Sequence, residues 1–156
     1  MSDDLVAVAL LRVPVPLWAR TQEHVDELLR EFTLMAAQFR EQQDHHQVPV
    51  RLTELIETLT AQYGGLSAVQ EARLAQAAAA GEREIDLTYH VPPYAIDAVI
   101  ALGDLLDEAD AYCRKGDHLL TLATPPDLVR FRHWFLDEFR HQLAGAAPTL
   151  FQEYRA

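Results

Sequence analysis

Glu138-Phe139-Arg140-His141 is the one Glu-x-x-His in this 156-residue chain. On a helix that spacing sets both side chains on one face, as carboxylate-bridged di-iron bundles require. Such a centre also needs a second Glu-x-x-His and a glutamate from each of two further helices, so no metal is expected and Glu138 reads as solvated or ion-paired. His45-His46 stands in the polar run Gln42-Gln43-Asp44-His45-His46-Gln47, without the cysteine or carboxylate spacing of a zinc site. Nucleophiles are as sparse. Cys113, the single cysteine, falls on an apolar helix face near a C-terminus, where the dipole disfavours a thiolate although Arg114 and Lys115 favour one. Ser2 and Ser67 are the only serines, and neither lies in an activated Gly-x-Ser-x-Gly context. Gly64-Gly65 lacks the Gly-Lys-Ser/Thr of a phosphate loop. An enzyme would have to use Asp110 or Glu138 as a general base with a pKa raised by burial, and nothing demands it. A non-enzymatic protein with no cofactor is expected.

The remaining polar residues suggest binding. Asp107, Asp110, Arg130, Arg132 and His133 sit near strong apolar helix faces, and His24, Asp26 and Glu27 interrupt another. Converging between helices, they would make a pocket for a small molecule or metal, with Asp110, Cys113 and His133 as its residues; otherwise they are exposed or pair locally, as Asp137 and His141 can at i, i+4. The large rings Trp18, Phe131, Trp134, Phe135, Phe139, Phe151 and Tyr154 either build the core or, through Trp18, Trp134, Phe151 and Tyr154, form an apolar patch for a partner. Because aromatics and arginines dominate binding energy at interfaces, a partner face is sought at Arg12, Trp18, His24, Arg30, Tyr89 and Trp134. Trp134→Ala then weakens partner binding by more than about 1 kcal/mol without unfolding the chain.

Four helical segments must position these groups. Val25, Leu28, Leu29, Phe32, Met35 and Phe39 recur at spacings of three and four within 17–43, the period of an amphipathic helix. Leu52, Leu55, Ile56, Leu59 and Tyr63 repeat it from Pro49, until Gly64-Gly65 should kink or break the helix; the alanine-rich 66–80 resumes it. Ala95 to Cys113 is the clearest amphipathic stretch. The last helix follows Thr124-Pro125-Pro126-Asp127, with Thr124 as its expected cap, and carries Leu128, Phe131, Phe135, Phe139 and Leu143 until Gly145. Segments near 5–15, 86–91 and 118–122 look extended. The fold expected is mainly α, a four-helix-bundle-like single domain over 1–156 with an extended N-terminal arm, 1–16, and a flexible C-terminal tail, 146–156.

Composition excludes several classes. With 13 Lys+Arg against 24 Asp+Glu the net charge is −11, which opposes binding to nucleic acid or anionic membranes. The longest apolar run, 5–11, is far below the roughly 20 residues of a membrane span. The opening Met1-Ser2-Asp3-Asp4 lacks the basic start of a secretory signal, so a cytoplasmic protein is expected. A homodimer is one expected assembly, since exposed apolar helix stripes are common dimer faces.

The segments Leu11-Arg12-Val13-Pro14-Val15-Pro16-Leu17, Glu23-His24, Glu27 to Phe32, Asp86-Leu87-Thr88-Tyr89, Val91-Pro92-Pro93, Leu105 to Cys113 and Leu119 to Pro126 resemble a little-described actinobacterial family. Its members are small proteins or domains that accompany anti-sigma-factor-type histidine-kinase-like ATPases and STAS-domain antagonists in partner-switching systems. The resemblance spans roughly 8–145. It implies a companion of those two players, since the chain has neither the ATP-binding boxes of the kinase-like domain nor a STAS phosphoacceptor unit, and it carries over no catalytic residue. The expected function is therefore non-enzymatic regulation by protein–protein binding in a pathway controlling a sigma factor, with an ATPase or STAS protein as partner. The alternative is a helical-bundle sensor binding a small molecule or metal.

Overall fold

The computed structural model describes residues 4–41, 48–115 and 124–154. In chain order these form β1 (Val6–Pro14), α1 (Val15–Glu41), α2 (Val48–Ala79), β2 (Glu84–Val91), α3 (Ala95–Lys115), α4 (Pro126–Leu143) and a 3-10 turn, Phe151–Glu153. The protein is mainly helical with one small sheet. Two of the three extended segments are its strands; 118–122, like His45-His46, lies outside the described residues. No helix among the described residues is long and apolar enough to cross a membrane.

β1 and β2 pair antiparallel, Val6 opposite Val91 and Leu10 opposite Leu87, so this part of the N-terminal arm is a strand paired within its own chain. Leu11 and Arg12 together oppose Asp86, a bulge that shifts the inward set from Val8 and Leu10 to Val13 and Val15. At the bulge Arg12 takes φ +51°, the left-handed conformation usually left to glycine. The Asp86 carboxylate holds it there, accepting the Arg12 N–H at 2.7 Å. Two glutamines satisfy the outer edges of the paired residues Ala9 and Thr88. The Gln142 amide both accepts from Ala9 N–H and donates to Ala9 C=O, each at 2.8 Å, and Gln70 donates to Thr88 C=O at 2.8 Å. These side chains stand in for the missing neighbouring strands and close edges that would otherwise invite pairing.

Helix α1 packs on α2 and α4, and α3 on α2 and α4, while the sheet lies against α2 and α4. Two apolar clusters result. The first joins the inner face of the sheet to Leu74 of α2, Ala95 of α3 and Phe131, Trp134 and Phe139 of α4. The second joins Leu28 and Phe32 of α1, Leu52 of α2 and Leu106 and Ala109 of α3. Helix α2 belongs to both, through Leu74 at one end and Leu52 at the other.

That double anchorage explains why α2 runs unbroken through Gly64-Gly65, against the expected kink. Two helical glycines cost about 2 kcal/mol relative to alanine, which packing at both ends offsets. Nothing stands within 4 Å of the position a Cβ would take at Gly65. Gly65→Ala is therefore expected to raise stability by about 0.5–1 kcal/mol in urea denaturation; a loss would mean that the helix is not regular there.

The segment 146–154 is docked, which corrects the expected flexible tail. The Trp134 indole N–H donates to Thr149 C=O at 2.8 Å, and Thr149 N–H donates to the Glu138 carboxylate at 2.6 Å. Arg130 donates to the carbonyls of Phe151 and Tyr154 and lies 4.3 Å over the Phe151 ring. Phe151 itself inserts beside Phe131 and Trp134.

Candidate ligand-binding site

Between the two clusters lies a cleft of about 570 Å³. The half-buried members of both clusters are its walls: Trp18, Val99 and Phe135 from the first, Ile56, Leu102 and Leu136 from the second. All four helices and β2 contribute. Tyr89, Phe131 and Phe139 add rings, and Tyr89 packs edge-on to Phe139 at 5.0 Å between centroids. The polar groups at the cleft are few: Thr21 and Gln22 of α1, Thr60, Ser67 and Glu71 of α2, and Arg132 of α4. A mostly apolar concavity with a few polar groups, in the range of roughly 300–1,000 Å³, is the usual form of a small-molecule site.

Arg132 joins this cleft to a partly buried polar network that brings together Asp107, Asp110, Arg132 and His133, none of the other three lining the cleft itself. Its guanidinium donates to Asp107 at 2.6 Å and to Asp110 at 2.8 Å; the Arg132 and Asp110 side chains are 6% and 4% exposed. Thr124, expected as the α4 cap, instead gives its hydroxyl proton to Asp110, and Pro125 takes the cap position. His133 Nε2 lies 2.8 Å from Asp107. Burial pushes the Asp107 pKa up, but hydrogen bonds from His133 and Arg132 outweigh it and hold the carboxyl below its ordinary value. His24 of α1 faces the same network. Burial drives its pKa down against the pull of Asp110 and Glu27, with Arg132 adding to the fall, so the ring is neutral at neutral pH. Arg132 Nε and His24 Nε2 are buried without a hydrogen-bond partner among the described residues.

The individual candidates divide. Asp110 and His133 belong to the network, Asp110 bonded to Arg132 directly and His133 linked to it through Asp107, while the Cys113 side chain lies outside the described residues. Among the described residues no group of three or more histidine, cysteine, aspartate and glutamate side chains is placed to hold a metal ion. Of the proposed partner face, Arg12 and Arg30 are exposed and Trp18 and His24 half-buried. Trp134 and Tyr89 are buried, at 0% and 4% exposure, which removes them from any surface patch. Trp134 sits on the inner side of α4 because that helix buries a broad arc, Phe131, Trp134, Glu138, Phe139 and Gln142. Arg130 turns to the C-terminal segment, and Asp26 meets Gln22 on its own helix. The cleft residues of α2 were missed, since Thr60, Ser67 and Glu71 carry no motif.

Glu138 is a second correction, buried rather than solvated or ion-paired. Burial raises its pKa, partly countered by hydrogen bonds from Thr149 and Gln142. The ionised form is thus penalised in the folded state above the folded pKa, and the penalty disappears as pH falls to the unfolded value. Glu138→Gln keeps an acceptor for Thr149 without that penalty. Its stability relative to wild type is expected to be most favourable at neutral pH and to decline as pH falls through the carboxylate range. Urea denaturation at several pH values checks this; a difference independent of pH would contradict it.

Comparison with protein-family models, curated proteins and solved structures finds no match to this chain.

Proposed function

We propose that the protein is a non-catalytic sensor, a four-helix bundle with a two-stranded flank whose cleft takes a small, largely apolar molecule. The observation that carries this reading is the cleft itself, about 570 Å³ and lined from all four helices. A ligand there touches both apolar clusters, so its binding free energy favours one relative placement of the helices over others. The output is a protein contact. The resemblance to companions of anti-sigma-type ATPases and STAS antagonists supports a partner-switching role, with exposed Arg12 and Arg30 as candidate contact residues.

Titration with the neutral fluorophore N-phenyl-1-naphthylamine tests the site. Saturable one-to-one binding is expected, and it is lost in Ala98→Trp and in Thr60→Trp, which fill the cleft from α3 and α2 while the helical circular dichroism is kept. Absence of saturable binding, or binding indifferent to both folded variants, would overturn the reading.

A further inference from the structure

The charge around the cleft narrows the class of ligand. Among the described residues two charged side chains line it, Arg132 and Glu71. The positive charge of Arg132 is already met by two carboxylates, Asp107 and Asp110. That guanidinium is therefore not a free cation, and an incoming anion would face the aspartates as well as the guanidinium. Among the described residues no cation is paired with Glu71. Its carboxylate accepts a hydrogen bond from Ser67 at 3.4 Å, and its field reaches the Tyr89 phenol: burial first, then the Glu71 charge, drives the Tyr89 pKa upward. Tyr89 is thus a neutral ring beside a carboxylate.

The remaining surface acts in the same direction. Trp18, Tyr89, Phe131, Phe135 and Phe139 line the cleft, and aromatic faces carry negative partial charge that attracts cations, most strongly where water is displaced. The whole chain, at −11, adds a long-range field that raises the local concentration of cations and lowers that of anions. An apolar body fits the walls; a positive charge fits the rings and Glu71.

From this geometry we infer that the cleft selects lipophilic cations, molecules with an aromatic or aliphatic body and one positive charge, with Glu71 and the aromatic walls as the selecting groups. The inference rests on the cleft being a ligand site, as proposed above. The near-isosteric pair tetraphenylphosphonium and tetraphenylborate separates charge from shape. Isothermal titration of the full chain is expected to show the phosphonium binding at least about tenfold more tightly than the borate, as like charge opposes the anion. Glu71→Gln is expected to weaken the phosphonium about fivefold and N-phenyl-1-naphthylamine by clearly less, while Glu57→Gln, outside the cleft, changes neither. Both cleft-filling variants abolish phosphonium binding, which excludes adsorption to the acidic surface. If the neutral fluorophore binds but the borate equals the phosphonium, or Glu71→Gln has no effect, the charge selection is wrong and the cleft stands. If none of the three probes binds in a manner sensitive to the cleft-filling variants, the ligand site and its selectivity fall together.

Discussion

Trp134→Ala is expected to destabilise the fold by about 3–5 kcal/mol, a fall in Tm of about 6–20 °C for a chain of this length. The indole is wholly buried and contacts Phe131, Phe135 and Phe151 at centroid distances of 5.9, 6.4 and 5.7 Å. Its N–H holds Thr149 C=O, so truncation opens a large cavity and releases the C-terminal segment together. Trp134→Phe separates the two effects. It retains most of the ring volume and loses the hydrogen bond, and should cost less than the alanine variant while exposing 146–154 to proteolysis. Thermal and urea denaturation with limited proteolysis read both. Wild-type stability in Trp134→Ala would contradict the burial of this ring and restore the surface role first considered for it.

Arg132→Met should cost about 3–5 kcal/mol, because it leaves Asp110 buried with its charge uncompensated. Asp107, about half exposed, can turn to water and loses little. Asp110, 4% exposed, keeps only Thr124 among the described residues. Adding Asp110→Leu removes the stranded charge, and the double variant should recover a large part of the loss, since an apolar pair of similar volume replaces a buried ion pair at little or no net cost. Urea denaturation of the four members of this cycle gives the coupling. Additive effects would show that the two side chains do not share a buried pair.

The helices were legible because each buries one stripe against its neighbours, and Leu28 and Phe32, or Leu106 and Ala109, keep the local period that such burial imposes. The strands were legible as extended segments but not as partners. Ala9 meets Thr88 across about half of the chain, a pairing with no local signature. The run through Gly64-Gly65 depends on what holds the ends of α2, which lies elsewhere in the chain. Segment 146–150 has no period at all, and its docking comes from Trp134, Glu138 and Arg130 on α4.

The site was half legible for a similar reason. Asp107, Asp110, Arg132 and His133 stand out because charges beside apolar stripes must find partners when the stripes close. The cleft does not, because it is a property of how two clusters fail to meet, and the residues that edge it, Thr60, Ser67 and Glu71, look like any exposed helix face. Trp18 and Tyr89 were chosen for an outer surface and belong to the walls of the cleft instead. Their chemistry suits binding in either place; only the packing distinguishes the two.

Methyl-resolved NMR of the protein titrated with tetraphenylphosphonium, and separately with N-phenyl-1-naphthylamine, tests the ligand site most directly. The cleft predicts saturable shifts at the methyls of Leu59, Val99, Leu102 and Leu136, with contacts from those methyls to the probe. Shifts confined to the exposed side chains Leu34, Val69 and Ile100, with the cleft methyls unmoved, would contradict it.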